Sequence, residues 1–258
     1  MYNNRVAVHT SGTSDMSHSN HLKTAIVTGG TKGIGLGVVR MLVGKGYRVI
    51  LSYGHDEEAA ARVKAELGDA VLAFQVDHTD RKDTYRFVKY IKEQTDEVNC
   101  IVCNVGITRR SAFEDMKDGD WDDMMEVGLT THVILLRELF DITASSSRII
   151  FTGSALGIYP HATVLGYGVV KSAIHGLVKN LVKVYEVKQT TVNGIAPGFV
   201  ETEWQKNKPE EIRNNICRKT AIHRFASVEE IAPAYEFCLD NAFVNGSIIE
   251  VNGGYSYM

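Results

Sequence analysis

The sequence predicts an α/β fold, a single doubly wound parallel sheet of about seven strands with helices on both faces. Three observations carry this expectation. From Thr24 onward, short apolar runs alternate with amphipathic stretches, as they do where helices cross over a sheet that is buried on both sides. A glycine-rich turn separates the first apolar run from the first amphipathic one. No repeat, low-complexity tract or linker interrupts residues 23–258, so one domain is expected over that span.

Strands are expected at 24–28, 47–52, 70–76, 98–104, 148–153, 190–195 and 247–251, with helices at 34–45, 56–67, 80–95, 119–143, 165–187, 209–218 and 227–239. Residues 1–22 are rich in Ser, His, Asn and Thr and lack apolar periodicity. They read as a disordered arm, because they cannot bury enough surface to offset their ordering entropy. The last long connection carries Pro197, Gly198 and Pro209 and lies where a lid over the sheet's C-terminal edge would lie. Cys100 and Cys103 have the spacing of a redox pair, but they fall in an apolar run, Val98-Asn-Cys-Ile-Val-Cys103. A strand's period of two sends them to opposite faces, so both read as packing residues.

Composition excludes several classes. With 28 Lys+Arg against 31 Asp+Glu and a net charge of −3, the chain lacks the basic excess of a nucleic-acid binder. Its apolar runs are far too short to span a bilayer. Four cysteines and no secretory or organellar targeting pattern point to the cytoplasm. The nine histidines show no metal-ligand spacing, so no metal is expected.

The turn Thr28-Gly-Gly-Thr-Lys-Gly-Ile-Gly35 places Gly29, Gly33 and Gly35 between a strand and a helix. There, glycine permits close approach of a pyrophosphate, whose charge meets the free N–H groups and dipole of the helix N-terminus. This is the phosphate turn of a Rossmann-type dinucleotide site. An acid at the end of the second strand would favour NAD by binding a ribose 2′-hydroxyl. Leu51-Ser-Tyr-Gly-His55 has none, while Lys32 offers a cation and Ser52 and His55 offer hydrogen bonds. NADP(H) is therefore the expected cofactor.

Tyr167 and Lys171 stand at i and i+4 of a helix. A cation beside a phenol favours phenolate and brings its acid–base chemistry nearer neutrality. Ser154 lies just beyond the fifth strand, in the region where open α/β sheets build their sites. His175, one turn past Lys171, reads as a core or interface residue.

At these residues the chain resembles the short-chain dehydrogenase/reductase family. The matching segments are the glycine turn, Asn104-Val-Gly106, Ser154, Tyr167-x-x-x-Lys171, Val192-Asn-Gly-Ile-Ala-Pro-Gly198 with Thr202, and Val251-Asn-Gly-Gly254, in the family's order over about residues 23–258. Within the family it is most similar to the 3-oxoacyl-[acyl-carrier-protein] reductases, through Tyr53, Gly106-Ile-Thr-Arg109 and Gly253-Gly-Tyr-Ser-Tyr-Met258. The resemblance implies an NADPH-dependent reduction of a ketone or 3-oxoacyl thioester. It makes Tyr167 the proton donor, Ser154 a hydrogen-bond donor to the substrate oxygen, and Lys171 the residue that tunes Tyr167 and holds the nicotinamide ribose. It also implies cofactor contacts from Gly29, Thr31, Lys32, Gly33, Ile34, Gly35, Tyr53, Asp77, Asn104, Gly106, Pro197, Gly198 and Thr202. Tyr159 and His161, between Ser154 and Tyr167, are expected to touch the substrate beside Ser154. A homotetramer is implied too, in line with apolar residues such as Val133, Leu136, Leu139, Val169, Ile174, Leu177 and Leu181, which are expected to be surplus to one sheet face.

Two departures stand out. Gly128 occupies the position, seven residues after Trp121, where the family carries a helix asparagine whose carbonyl holds a relay water. Glycine keeps the carbonyl and loses the bracing amide, at a helix cost of about 1 kcal/mol relative to alanine. An asparagine there is expected to raise turnover, the alternative being a gain in stability with little change in rate. This departure leaves a catalytically weak NADP-binding subunit or regulator as the alternative function. The second departure is the segment Thr143-Ala-Ser-Ser-Ser-Arg148, which lacks the basic cluster that would steer an acidic carrier protein. Arg148, Lys188, Arg109 and Arg110 are the remaining candidates for that task.

Overall fold

The computed structural model describes residues 22–255 and 257, so the expected N-terminal arm lies, save its last residue, outside the described residues. The strands are β1 (Thr24–Val27), β2 (Arg48–Tyr53), β3 (Val71–Gln75), β4 (Val98–Cys103), β5 (Thr143–Thr152), β6 (Thr191–Pro197) and β7 (Ile248–Val251). The helices are α1 (Gly33–Gly44), α2 (Glu57–Leu67), α3 (Arg81–Gln94), α4 (Asp118–Met125), α5 (Thr131–Glu138), α6 (Leu165–Tyr185), α7 (Glu210–Arg218) and α8 (Val228–Asp240). Local chemistry sets several helix starts. Asp56 Oδ1 accepts from Ala59 N at 2.8 Å ahead of α2, and Asp80 does the same for Lys82 N at 2.9 Å ahead of α3. At α8, Glu230 reaches back to accept from Ser227 N at 2.8 Å.

All seven strands pair in parallel in the order β3-β2-β1-β4-β5-β6-β7. Alternate residues of each strand feed two separate cores. Ala25, Val27, Leu51, Cys100 and Val102 pack with Val38, Leu42, Val63 and Tyr235 of α1, α2 and α8. Ile26, Ile50, Ile101, Cys103 and Phe151 pack with Phe87, Leu135 and Ile174 of α3, α5 and α6. This is the doubly wound sheet the pattern predicts. Cys100 and Cys103 do go to opposite faces, and burial pushes both thiols above their ordinary range, Cys100 to about 12.

The order reverses between β1 and β4, which opens a crevice at their carboxyl ends. Gly35 needs to be glycine here, since a Cβ on it would lie 2.2 Å from the Gly29 carbonyl oxygen and 2.7 Å from Asn104 Nδ2.

The helix expected over 119–143 is corrected by the structure. It runs as α4, a π-helical turn over Glu126–Thr130, then α5, and stops at Glu138. Thr143 Oγ1 donates to the Leu139 carbonyl at 2.8 Å and ends the helix. β5 starts at Thr143 opposite Val98, and the pairing shifts before Arg148 joins Cys100, with Ser146 at φ 58° inside the bulge. The expected turn before β5 is therefore a bulged extension of the strand. Of the apolar residues expected to be surplus, Leu136, Leu139 and Ile174 are buried, Leu177 and Leu181 are partly buried on the core, and Val133 and Val169 are exposed.

Gly128 sits at the centre of the π-helical turn and is buried. A Cβ on it would come within 2.5 Å of Val170 Cγ1 on α6, so glycine lets the turn and α6 close together over a branched side chain. This packing works against the expected gain in stability from asparagine. Gly128→Asn should destabilise the fold by about 1–3 kcal/mol, the usual scale of overpacking, and Val170→Ala in the same chain should recover most of the loss. Denaturant midpoints of the two single variants and the double variant check this.

Candidate active site

The crevice continues into a cavity of about 570 Å³ bounded by the glycine turn, the loops after β4 and β5, the start of α6 and the segment after β6. Tyr167 and Lys171 project from the first turns of α6, and Ser154 stands just past β5. All three line this cavity. Ser154 Oγ accepts from Leu156 N at 3.1 Å, which fixes the loop.

Lys171 is buried, and its Nζ donates to the Thr152 carbonyl at 2.6 Å. It lies 5.6 Å from the centroid of the Tyr167 ring. Burial lowers its pKa to about 8. The Tyr167 phenol moves the other way: burial raises it to about 12, with the Ser154 hydroxyl opposing. This direction runs against the lowering expected from Lys171; desolvation is its largest cause and favours the protonated phenol. Trp204 approaches the Tyr167 ring edge-on, with centroids 6.2 Å apart.

The glycine turn fits an anionic group. Lys32, at the N-cap of α1, supplies no side-chain cap, and the first turn holds no acid. The leading N–H groups of α1 therefore have no acceptor from a cap side chain, and they face a cavity lined by Gly29, Gly33 and Gly35. Lys32 makes an ion pair with Asp56, which holds that carboxyl below its usual range. Asp56 lies one residue past the stretch where an acid was looked for, so the strand end is not free of carboxylate. Ser52 is engaged elsewhere. Gly29 N donates to its Oγ at 3.1 Å, and Ser52 Oγ also shares a hydrogen bond with His78 Nε2 at 3.0 Å. His78 Nδ1 is hydrogen-bonded to Thr84 Oγ1 at 3.1 Å. Burial takes the His78 pKa down to about 4 and keeps it neutral.

Of the expected cofactor residues, Gly29, Lys32, Gly33, Ile34, Gly35, Asn104, Gly106, Tyr167, Lys171, Pro197, Gly198 and Thr202 line the cavity. Thr31 is buried, Tyr53 packs on the core, and Asp77 is exposed beyond β3, so these three stand outside the lining. Tyr159 and His161 also stand outside it. Their expected place beside Ser154 is taken by Leu156 and Val164, because the chain turns outward and Tyr159 faces Glu250 and Tyr257. His175 packs against Gly153 and Gly157, is neutral with its pKa down at about 4, and has Nε2 without a partner among the described residues.

Sequence reading missed Trp204, Gln205 and Lys208, which enter the cavity from the lid segment, and Thr108 on the loop after β4. The proline and glycine of the lid signalled a loop over the site but not which side chains turn inward. Thr28 and Thr152 were also missed. Thr28 Oγ1 accepts from Asn104 N at 2.8 Å and Val105 N at 3.0 Å, and Thr152 Oγ1 donates to Asn104 Oδ1 at 2.9 Å.

The family described as short chain dehydrogenase matches residues 23–213. The 3-oxoacyl-[acyl-carrier-protein] reductase of Salmonella typhimurium is 30% identical over 236 residues, covering 90% of this chain and 96% of that protein. Among solved structures, a short-chain dehydrogenase/reductase from Serratia marcescens superposes with a TM-score of 0.86 at 27% identity, over 91% of this chain and 98% of that one. A short chain dehydrogenase from Burkholderia cenocepacia, solved in complex with NADP, gives 0.85 at 25% identity, over 90% and 97%.

The buried Lys171 sets a pH dependence of stability. Its folded pKa of about 8 lies below the ordinary 10.5, so between these values the unfolded chain binds the extra proton and stability rises with pH. Below about pH 8 the penalty is fully present. The cofactor-free wild type should therefore gain stability relative to Lys171→Met as pH is raised from 8 toward 10.5, measured by denaturant midpoints. A constant difference would contradict the assignment.

Proposed function

The chain belongs to the short chain dehydrogenase family, and within it we propose that it works as an NADPH-dependent carbonyl reductase, turning a ketone or 3-oxoacyl thioester into an alcohol. The observation that carries this reading is the convergence of Ser154, Tyr167 and Lys171 on one cavity with the uncapped N-terminus of α1. The nicotinamide, when bound, supplies the hydride. Tyr167 gives its phenolic proton to the carbonyl oxygen, and a pKa of about 12 keeps that proton in place until the oxygen gains negative charge. Ser154 donates to the same oxygen, and Lys171 holds the ribose and restores the proton.

NADP(H) is supported by Lys32 at the turn and by the NADP found in the Burkholderia relative. Asp56 works against it until a 2′-phosphate displaces that carboxylate from Lys32. Of the four cations that could steer an acidic carrier, three are engaged and Arg110 is left without an ion pair among the described residues, which supports a small-molecule substrate over a carrier-bound one. Arg148 is spent on the Leu239 carbonyl, Lys188 on that of Thr143, and Arg109 on Asp120 and Asp123. Gly128 does not favour a non-catalytic role, because Val170 fills the space of the missing side chain.

The same reading includes a single domain over residues 23–258, a cytoplasmic protein with four free cysteines, and a homotetramer. The tetramer is supported by Val133, Leu165, Val169 and Val184, which are exposed on α5 and α6. Among the described residues no helix is long and apolar enough to cross a membrane. Sedimentation at micromolar concentration should give four copies, and a monomer would count against the tetramer.

Tyr167→Phe keeps the ring and removes the acid. It should lower NADPH-dependent reduction by roughly 10²–10⁴-fold while the thermal shift given by NADPH is retained. In the same assay NADPH should stabilise the wild type more than NADH does, and Asp56→Asn should widen that gap whereas Lys32→Glu should close it. Equal shifts from both cofactors would remove the NADP assignment, and full turnover in Tyr167→Phe would remove the mechanism.

A further inference from the structure

The charges around the cavity do not balance. Arg109 faces Asp120 and Asp123 at 3.4 and 3.7 Å, Glu203 faces Lys206 at 2.6 Å, and Lys32 faces Asp56. Arg110 and Lys208 also line the cavity, one from the loop after β4 and one from the lid, yet among the described residues neither makes an ion pair. Arg213, the next cation along, is neutralised by Glu201 at 2.5 Å. Arg110 repels Lys208, and Lys208, half-buried, has its pKa pushed down by desolvation, then by Arg110 and Arg213.

A second observation comes from the same walls. Thr108 Oγ1 and Gln205 Oε1 are buried without a hydrogen-bond partner among the described residues, and both residues line the cavity. Gln205 is 8% exposed. Buried polar atoms are almost always satisfied, so two orphans beside two uncompensated cations mark a surface shaped for a polar ligand.

We propose that the carbonyl substrate bears a negatively charged group, a carboxylate or a phosphate, which seats between Arg110 and Lys208 while Thr108 and Gln205 hold polar atoms of the same molecule. This rests on the carbonyl-reductase reading and narrows it to a small anionic ketone. The lid then has a specific task. It carries Lys208 and Gln205 on the segment that also brings Trp204 against Tyr167, so seating the anion fixes the wall opposite the reacting carbonyl.

The test compares charged ketones with neutral counterparts: 3-oxobutanoate with its methyl ester, and dihydroxyacetone phosphate with dihydroxyacetone, each with NADPH. Wild type should favour the charged member, and Arg110→Gln/Lys208→Gln should lower its kcat/KM by roughly 10- to 100-fold, the scale of lost charge-assisted hydrogen bonds, mainly through KM. The neutral member should change less than about twofold, and Lys206→Gln should change neither. Whichever charged ketone is preferred identifies carboxylate or phosphate. Lys208→Gln alone, at a half-buried surface position, serves if the double variant does not fold.

Calorimetric binding of the same two anions to the NADPH-saturated protein separates the inference from the reading on which it rests. Binding that is lost in the double variant, without reduction of any ketone, would keep the anion site and sink the carbonyl-reductase reading. Neutral ketones reduced as well as charged ones would overturn the anion site and keep the reading. Turnover confined to a 3-oxoacyl thioester on acyl carrier protein, with both small anions ignored, would also overturn it.

Discussion

An open parallel sheet has a weak point where its strand order reverses, and Asn104 closes it here. Its side-chain amide donates to the carbonyls of Thr28 and Gly29 at 2.9 and 3.1 Å, and its Oδ1 accepts from Thr152 at 2.9 Å. One residue thereby ties together the carboxyl ends of β1, β4 and β5. Since the Thr152 hydroxyl proton is committed to Asn104, the Tyr235 hydroxyl must be the donor in its 2.7 Å contact with Thr152. The Thr152 carbonyl in turn receives Lys171. Glycine turn, sheet edge and α6 thus form one connected hydrogen-bonded unit, and the absence of a Cβ at Gly35 is what allows the amide to lie so close.

On that ledge, burial governs the chemistry. The i, i+4 spacing of Tyr167 and Lys171 suggests a cation that makes phenolate easy, yet both groups are desolvated and each moves toward its neutral form. A phenol held protonated suits a donor in reduction better than a base in oxidation. The π-helical turn takes part in the same packing. The Gly128 carbonyl accepts from His132 Nδ1 at 3.1 Å, and His132 is buried, neutral with a pKa down at about 3, and has Nε2 unpartnered among the described residues. The carbonyl that the family pattern assigns to a relay water is therefore already in contact with a side chain of this protein.

The strand and helix order was legible because each strand is buried on both faces and each crossover helix has one apolar face. The period that separated Cys100 from Cys103 is local. The break at Glu126–Thr130 was not legible, since Met-Glu-Val-Gly-Leu-Thr reads as ordinary helix and only the approach of Val170 explains its glycine. Nor was the early start of β5, whose serines look like a turn until the register against Val98 and Cys100 is seen. In the site, the glycines were marked by spacing, while Ser154, Tyr167 and Lys171 were singled out by the family resemblance, and all of them line the cavity. Asp56 escaped notice because a helix cap and a partner of Lys32 are the same residue, and Tyr159 and His161 stand outside the cavity lining because chain proximity to Ser154 does not fix the direction of a loop.

The central claim is that burial, and not the charge of Lys171, sets the protonation of Tyr167. The direct measurement is the ultraviolet tyrosinate absorbance of the cofactor-free protein, titrated with pH, with the Tyr167→Phe curve subtracted. The claim predicts no additional phenolate below about pH 10, in keeping with a phenol raised to about 12. An additional phenolate half-formed between about pH 7 and 8 would contradict it, since only a dominant nearby cation could lower the phenol that far.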